Sequence, residues 1–202
     1  MVSSQLRALT FFSRIGLVAA LLMVSLGVRA QSAAAVPEPQ VTEGYINAPI
    51  AEVWRIFTTS EGFKATGVDQ AEVDLRIGGL IRTHRGPTGT LGDAETTVDE
   101  ILAYEPERLL ALRIRQAPAS FPYRDAVDGT WTVIHFTPSG QDMTHVRIVG
   151  LGYRDTPQSQ GMRRFFAEAN RWTLDHIAKP YWPKCKLCAA EPTAQTPNQP
   201  LQ

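Results

Sequence analysis

Apolar residues recur at helical spacing between Thr156 and Lys179. One face collects Met162, Phe165, Phe166, Ala169, Trp172, Thr173, His176 and Ile177, and the opposite face collects Arg163, Arg164, Glu168, Asn170, Arg171 and Asp175. Thr156 is a good N-cap, Pro157 suits the first turn, and Lys179 precedes a proline that disfavours helical angles. The pattern predicts one long helix, about 30 Å from end to end, with a wide apolar side that needs a surface to lie on.

The earlier chain supplies that surface. Val41–Asn47 reads as a first strand. After Ala48-Pro49, residues Ile50, Val53, Trp54 and Phe57 fall on one helical face, and Thr58-Thr59-Ser60 ends that helix and caps a short second one over Glu61–Lys64. Strands then follow in succession. Ala71–Arg76 alternates, Gly78-Gly79 turns, and Leu80–His84 returns. Gly86–Gly92 is a loop. Thr96–Tyr104 is a strand whose alternation breaks at Asp99-Glu100, the mark of a bulge. Leu110, Leu112 and Ile114 alternate in the next strand, and a longer connection over Gln116–Gly129 leads to Thr130–Phe136 and Thr144–Gly152. Thr132, Ile134, Phe136, Val146 and Ile148 are the inward set, with Trp131, Val133, His135, His145 and Arg147 outward. Thr130–Phe136 carries apolar residues on both faces, so the swapped assignment stays open. Strand, two helices, a meander of strands and a long helix make an α+β fold, a curved antiparallel sheet wrapped round one helix.

The first thirty residues stand apart. Arg7 and Arg14 lead an apolar run over Ile15–Leu26, Val28-Arg29-Ala30 offers a cleavage site before Gln31, and no acid precedes Glu38. This is a secretory signal pattern, with an uncleaved anchor as the alternative. Residues 31–40 read as a linker and 41–183 as the domain. Residues 184–202 read as a disordered tail rich in Pro, Ala, Gln and Thr. The expected location is secreted or periplasmic, with no membrane span once the signal is removed.

Charge changes the picture little. The 202 residues carry 20 basic and 20 acidic side chains, and cleavage would remove Arg7, Arg14 and Arg29 only, leaving a mildly acidic chain. Nothing marks a nucleic-acid surface. Cys185 and Cys188, in Lys184-Cys185-Lys186-Leu187-Cys188, would oxidise in an exporting compartment. A redox motif is the sharper alternative to a local disulfide or an inert pair. A thioredoxin-type motif opens a helix after a strand, however, and this one trails into a tail.

Candidate chemistry is sparse. No HxxxH metal spacing is present, the serines lack a nucleophile-elbow context, and Gly78-Gly79 lacks the rest of a phosphate loop. No metal or cofactor is expected. His176, on the inward helix face one turn from Trp172, and His84, after the double-glycine turn, are the candidate acid/base residues. Each has a plain alternative, a helix-end histidine favoured by the dipole and a strand-end surface residue. Arg82, Arg113, Arg115 and Arg147 sit on strands, and period two turns the last three outward. The expected ligand-pocket set is Phe57, Leu112, Ile134, Ile148, Phe165, Ala169, Trp172 and His176, residues that simple core packing would also use.

Several stretches carry a likeness. They are Tyr45-Ile46-Asn47-Ala48-Pro49-Ile50-Ala51-Glu52-Val53-Trp54, Ala71-Glu72-Val73-Asp74-Leu75-Arg76-Ile77-Gly78-Gly79, Glu105-Pro106-Glu107-Arg108-Leu109-Leu110, and Phe136-Thr137-Pro138-Ser139-Gly140 with Thr144 four residues on. In this order, over roughly Val41 to Trp182, they resemble the START-like, or SRPBCC, superfamily. Within it they resemble the branch named for the activator of the heat-shock chaperone ATPase. The resemblance implies a helix-grip fold: a seven-stranded antiparallel sheet, two short helices after the first strand, and a long C-terminal helix enclosing a cavity. It also implies binding of small hydrophobic or amphipathic molecules, although some members are cyclases, hydrolases or co-chaperones. Relatives commonly carry a tryptophan after the second helix, where this chain has Lys64-Ala65-Thr66-Gly67.

The expected function is an exported protein that binds such a molecule without transforming it. A cyclase- or hydrolase-type enzyme using a pocket histidine and a cell-envelope interaction module are the alternatives. A chaperone partner is not expected for an exported chain.

Overall fold

The computed structural model describes residues 38–184. The signal pattern over 1–30, most of the linker, and Cys185 and Cys188 lie outside the described residues. Gln40 belongs to the first strand and Lys184 to the last turn.

Seven antiparallel strands form one sheet in the order β1-β7-β6-β5-β4-β3-β2. They are β1 (Gln40–Ile46), β2 (Gln70–Val73), β3 (Leu80–His84), β4 (Thr97–Glu105), β5 (Leu109–Gln116), β6 (Trp131–Pro138) and β7 (Thr144–Leu151). Between β1 and β2 lie α1 (Ile50–Thr58) and α2 (Ser60–Phe63), and α3 (Pro157–Ala178) follows β7. Six strands form a meander from β2 to β7, and β1 completes the sheet by pairing with β7. The sheet, the two short helices and the long last helix are those the sequence predicts.

Differences are local. β2 ends at Val73, so Leu75 is not a strand residue, and the turn to β3 takes all of Asp74–Gly79. Asp74 explains this. Its backbone N–H donates to the Leu80 carbonyl, and its carboxylate takes a 2.7 Å hydrogen bond from Arg76 Nε. The expected irregularity in β4 is present, with register shifts at Val98/Asp99 and Ile101/Ala103 against β5. The sided reading of β6 and β7 holds. Ile134, Phe136, Val146 and Ile148 are buried and Trp131 is exposed.

Helix ends follow local chemistry. Thr59 accepts from Gly62 N–H at 3.0 Å to cap α2. Thr156 accepts from Ser159 N–H at 3.3 Å to start α3, with Pro157 in the first turn. Lys179 keeps helical angles despite the proline after it, and the chain tightens into a 3₁₀ turn over Lys179–Lys184.

The core lies between the helices and one end of the sheet. Trp54 and Phe57 of α1 meet Phe136 of β6 edge-on, with ring centroids 5.3 and 5.4 Å apart. The C-terminal half of α3 lies on β1, where Leu174 Cδ1 would sit 3.5 Å from a Cβ at Gly44, and Arg171 donates to the Glu43 carbonyl at 3.0 Å. The N-terminal half packs on the 117–129 connection, with Met162 fully buried among Ala126, Val127 and Tyr153. Gly161 is needed there, because a Cβ would come 2.5 Å from the Tyr123 ring. Between these two anchors α3 does not close on the sheet.

Candidate functional site

The gap under the middle of α3 is a cavity of about 730 Å³. Thr83 and His84 of β3, Thr97 and Asp99 of β4, Leu112 and Ile114 of β5, Thr132 and Ile134 of β6 and Ile148 of β7 form its sheet wall. Phe165, Phe166, Ala169, Asn170, Trp172 and Thr173 of α3 form the opposite wall, and Phe57, Phe63, Thr66 and Val68 close one end. Arg85, Glu95, Ser120 and Phe121 come from loops. The volume falls in the range of sites that take drug-sized molecules.

Seven residues of the expected pocket set line this space: Phe57, Leu112, Ile134, Ile148, Phe165, Ala169 and Trp172. His176 does not. It is exposed and stacks flat on Trp172, with centroids 4.7 Å apart and planes at 13°. The C-terminal turns of α3 instead bury Leu174, Ile177 and Ala178, and this rotates His176 past the cavity. Phe165 and Trp172 are themselves 42% and 48% exposed, which places them at the rim.

Trp172 is held from three sides. His176 stacks on it, the Arg85 guanidinium lies 5.7 Å from its ring centroid, and Gly67 runs beneath it. Gly67 has φ of 90°, and a Cβ there would come 2.4 Å from Trp172 Cη2. Gly67→Ala should cost about 1–3 kcal/mol through left-handed strain and this clash. Equilibrium denaturation would measure the loss, and a shifted tryptophan emission would report the displaced ring.

His84 is buried on the cavity wall, contrary to the surface alternative. Its Nε2 lies 3.2 Å from Asp93 Oδ2, and its Nδ1 is buried without a hydrogen-bond partner. The 86–92 loop covers it so closely that a Cβ at Gly89 would enter the ring. Gln70 Nε2 fixes that loop by donating to the Gly89 carbonyl at 2.6 Å. The backbone N–H of Thr90 and that of Glu95, with the His84 imidazole beside them, hold the Asp93 carboxyl below its ordinary value. This histidine is packed under the loop and engaged by Asp93 through Nε2, while its ring belongs to the cavity wall.

Among the described residues, the carboxyl that faces the cavity without a partner is Asp99, which the sequence reading passed over. It shares a face of β4 with Thr97 and the fully buried Ile101, opposite Ile81 of β3 and Ile114 of β5. Its side chain has no hydrogen bond or ion pair among the described residues. Burial alone pushes its carboxyl up to about 7. Glu100, its neighbour, points to the other face. There the Arg113 hydrogen bond at 2.7 Å, with Arg115 at 3.2 Å, holds the Glu100 carboxyl below the usual range. One acid is thus satisfied on the outer face, and the next is left bare on the inner one. Alternation gives no clear signal for it, because the register shifts at Val98/Asp99 and the Asp99-Glu100 pair interrupts the pattern.

An antiparallel sheet that grips one long helix round a largely apolar cavity defines a helix-grip fold of the SRPBCC type. The chain belongs to the Activator of Hsp90 ATPase homolog 1-like family, whose pattern matches residues 47–179. Solved structures share the fold. Protein MLL2253 of Mesorhizobium loti is 18% identical over 70% of this chain and 95% of its own, with a TM-score of 0.56. Protein NE0264 of Nitrosomonas europaea is 18% identical over 72% of this chain and 95% of its own, at 0.54. The Aha1 dimer of Colwellia psychrerythraea is 14% identical over 70% of this chain and 97% of its own, at 0.51. No curated protein matches the sequence. Among the described residues, no helix is long and apolar enough to cross a membrane.

Proposed function

We propose that this chain is an exported binding protein that holds a small hydrophobic or amphipathic molecule under α3. The observation that carries this reading is the cavity of about 730 Å³, walled by Phe57, Leu112, Ile134, Ile148 and Phe166. Apolar groups that line a cavity lack protein partners on one side, and an apolar ligand supplies dispersion contacts there. The family's fold, which commonly takes hydrophobic ligands, points the same way. Among the described residues, neither candidate histidine stands free in the cavity: His84 Nε2 contacts Asp93, and His176 lies outside the lining.

Native mass spectrometry of the purified protein is the direct test. The expected result is a bound molecule of a few hundred daltons, or uptake of an added fluorescent alkyl probe at one-to-one stoichiometry. A chain that takes up no apolar probe would overturn the reading.

Export rests on the signal pattern of residues 1–30. It also sets aside the co-chaperone role in the family's name, since a chaperone ATPase sits in the cytoplasm. When the full chain is expressed in a Gram-negative host, N-terminal sequencing of the soluble envelope fraction should begin at Gln31. A chain kept at the membrane with its first residues intact would show the anchor alternative.

A further inference from the structure

We propose that the molecule this cavity takes carries a protonated amine, seated on the Asp99 carboxylate, with its apolar part against Phe57, Leu112, Ile134 and Ile148. The inference rests on the small-molecule reading above and names the ligand class within it.

The argument is one of charge balance inside the cavity. Asp99 faces the void from β4, and no donor or cation among the described residues reaches it. The nearby strand arginines are spent on the outer face of the sheet, Arg82 on Glu72 at 3.5 Å and Arg113 and Arg115 on Glu100. Four titratable groups line the cavity: Asp99, His84 and Arg85 from β3 and the loop after it, and Glu95 from the loop before β4. His84 faces Asp93, Arg85 lies over Trp172 at the exposed rim, and Glu95 accepts from Ser120. The α3 wall offers Asn170 and Thr173 and no charge, and the β5, β6 and β7 walls offer none either.

A half-buried carboxylate on a largely apolar wall gains from an opposite charge, so a ligand that brings a positive nitrogen supplies what the protein omits. An ammonium also has several N–H donors. One can meet Asp99, and the hydroxyls of Thr83, Thr97 and Thr132 on the same wall are available to others. A ligand carboxylate would meet Asp99 as a like charge. The burial that lifts Asp99 to about 7 is the cost of the missing partner, and an ammonium would reverse it.

The test compares three probes of equal chain length, octylamine, octanol and octanoate, by titration calorimetry on the mature protein. At pH 8 octylamine should bind about ten- to a hundredfold more tightly than octanol, the span of one charge-assisted hydrogen bond, with octanoate weakest. That preference should fade as the pH is lowered from 7 to 5 and Asp99 takes its proton. The Asp99→Asn variant should keep octanol binding and lose both the preference and its pH dependence, which separates Asp99 from His84 and Glu95. If octanol and octylamine bind the wild type equally, or octanoate binds best, the amine inference is overturned and the small-molecule reading stands. If none of the three enters, both fall together.

Discussion

Asp99→Asn should stabilise the ligand-free protein at pH 8 by up to about 4 kcal/mol, an effect that fades as the medium becomes acidic. Burial pushes the folded carboxyl up to about 7, against an ordinary value of 3.8. A neutral Asp99 is therefore favoured by the fold, and the stability this gives is fully present below 3.8 and lost as the pH rises through 7. Above 7 the native state must carry an unpaired charge in a cavity walled by Leu112, Ile114 and Ile134. Asparagine has nearly the same shape and carries no charge, so it avoids that cost at every pH. Urea denaturation of both proteins between pH 4 and 8 would show wild-type stability falling across this window while the variant stays comparatively level. The other titratable groups are common to both proteins and cancel in the difference. Parallel curves would mean that Asp99 is solvated and ionised throughout. A residue that weakens its own fold at neutral pH fits a site kept for binding rather than for stability.

The fold was legible because each of its parts has a local cause. Thr156 and Pro157 start α3, alternation marks β5 to β7, and Asp99-Glu100 announces the irregularity in β4. The site was legible in its apolar half alone. A period of 3.6 correctly picks out Phe165, Ala169 and Trp172, but it assumes a single inward direction. α3 has two, because it rests on β1 through Leu174 and buries Ile177 and Ala178 in the core, while it faces the cavity through Phe165, Ala169 and Thr173. Leu174 was therefore missed and His176 wrongly turned inward. Asn170, read as outward, lies between the two directions, where it donates to Gln40 Oε1 at 3.3 Å and also lines the cavity. Hydropathy cannot separate a packed leucine from one facing empty space, since both positions ask for the same side chain. Nor could it find Asp99, because a lone acid on a strand reads as surface until the partners of its neighbour Glu100 are known.

Ala169→Trp should weaken uptake of any apolar probe by at least about a hundredfold while leaving the fold intact. Ala169 lies on the cavity-facing side of α3, between Phe165 and Thr173. An indole there would extend into the void from a helix whose ends are fixed elsewhere. The helix-propensity cost of Trp against Ala is below about 0.7 kcal/mol, and burial of the ring offsets it, so the melting temperature should hold or rise. Leu174→Trp, on the adjacent face of the same helix, should do the opposite. Leu174 is 2% exposed and packs over Gly44, leaving no room for a larger ring, and overpacking there should cost about 1–3 kcal/mol. The two variants place the same side chain five residues apart on one helix. Thermal melts paired with probe titrations would distinguish a cavity from ordinary core. If Ala169→Trp destabilises as much as Leu174→Trp, the space under α3 is filled by packing and holds no ligand. If Ala169→Trp is well folded and still binds, the ligand sits elsewhere.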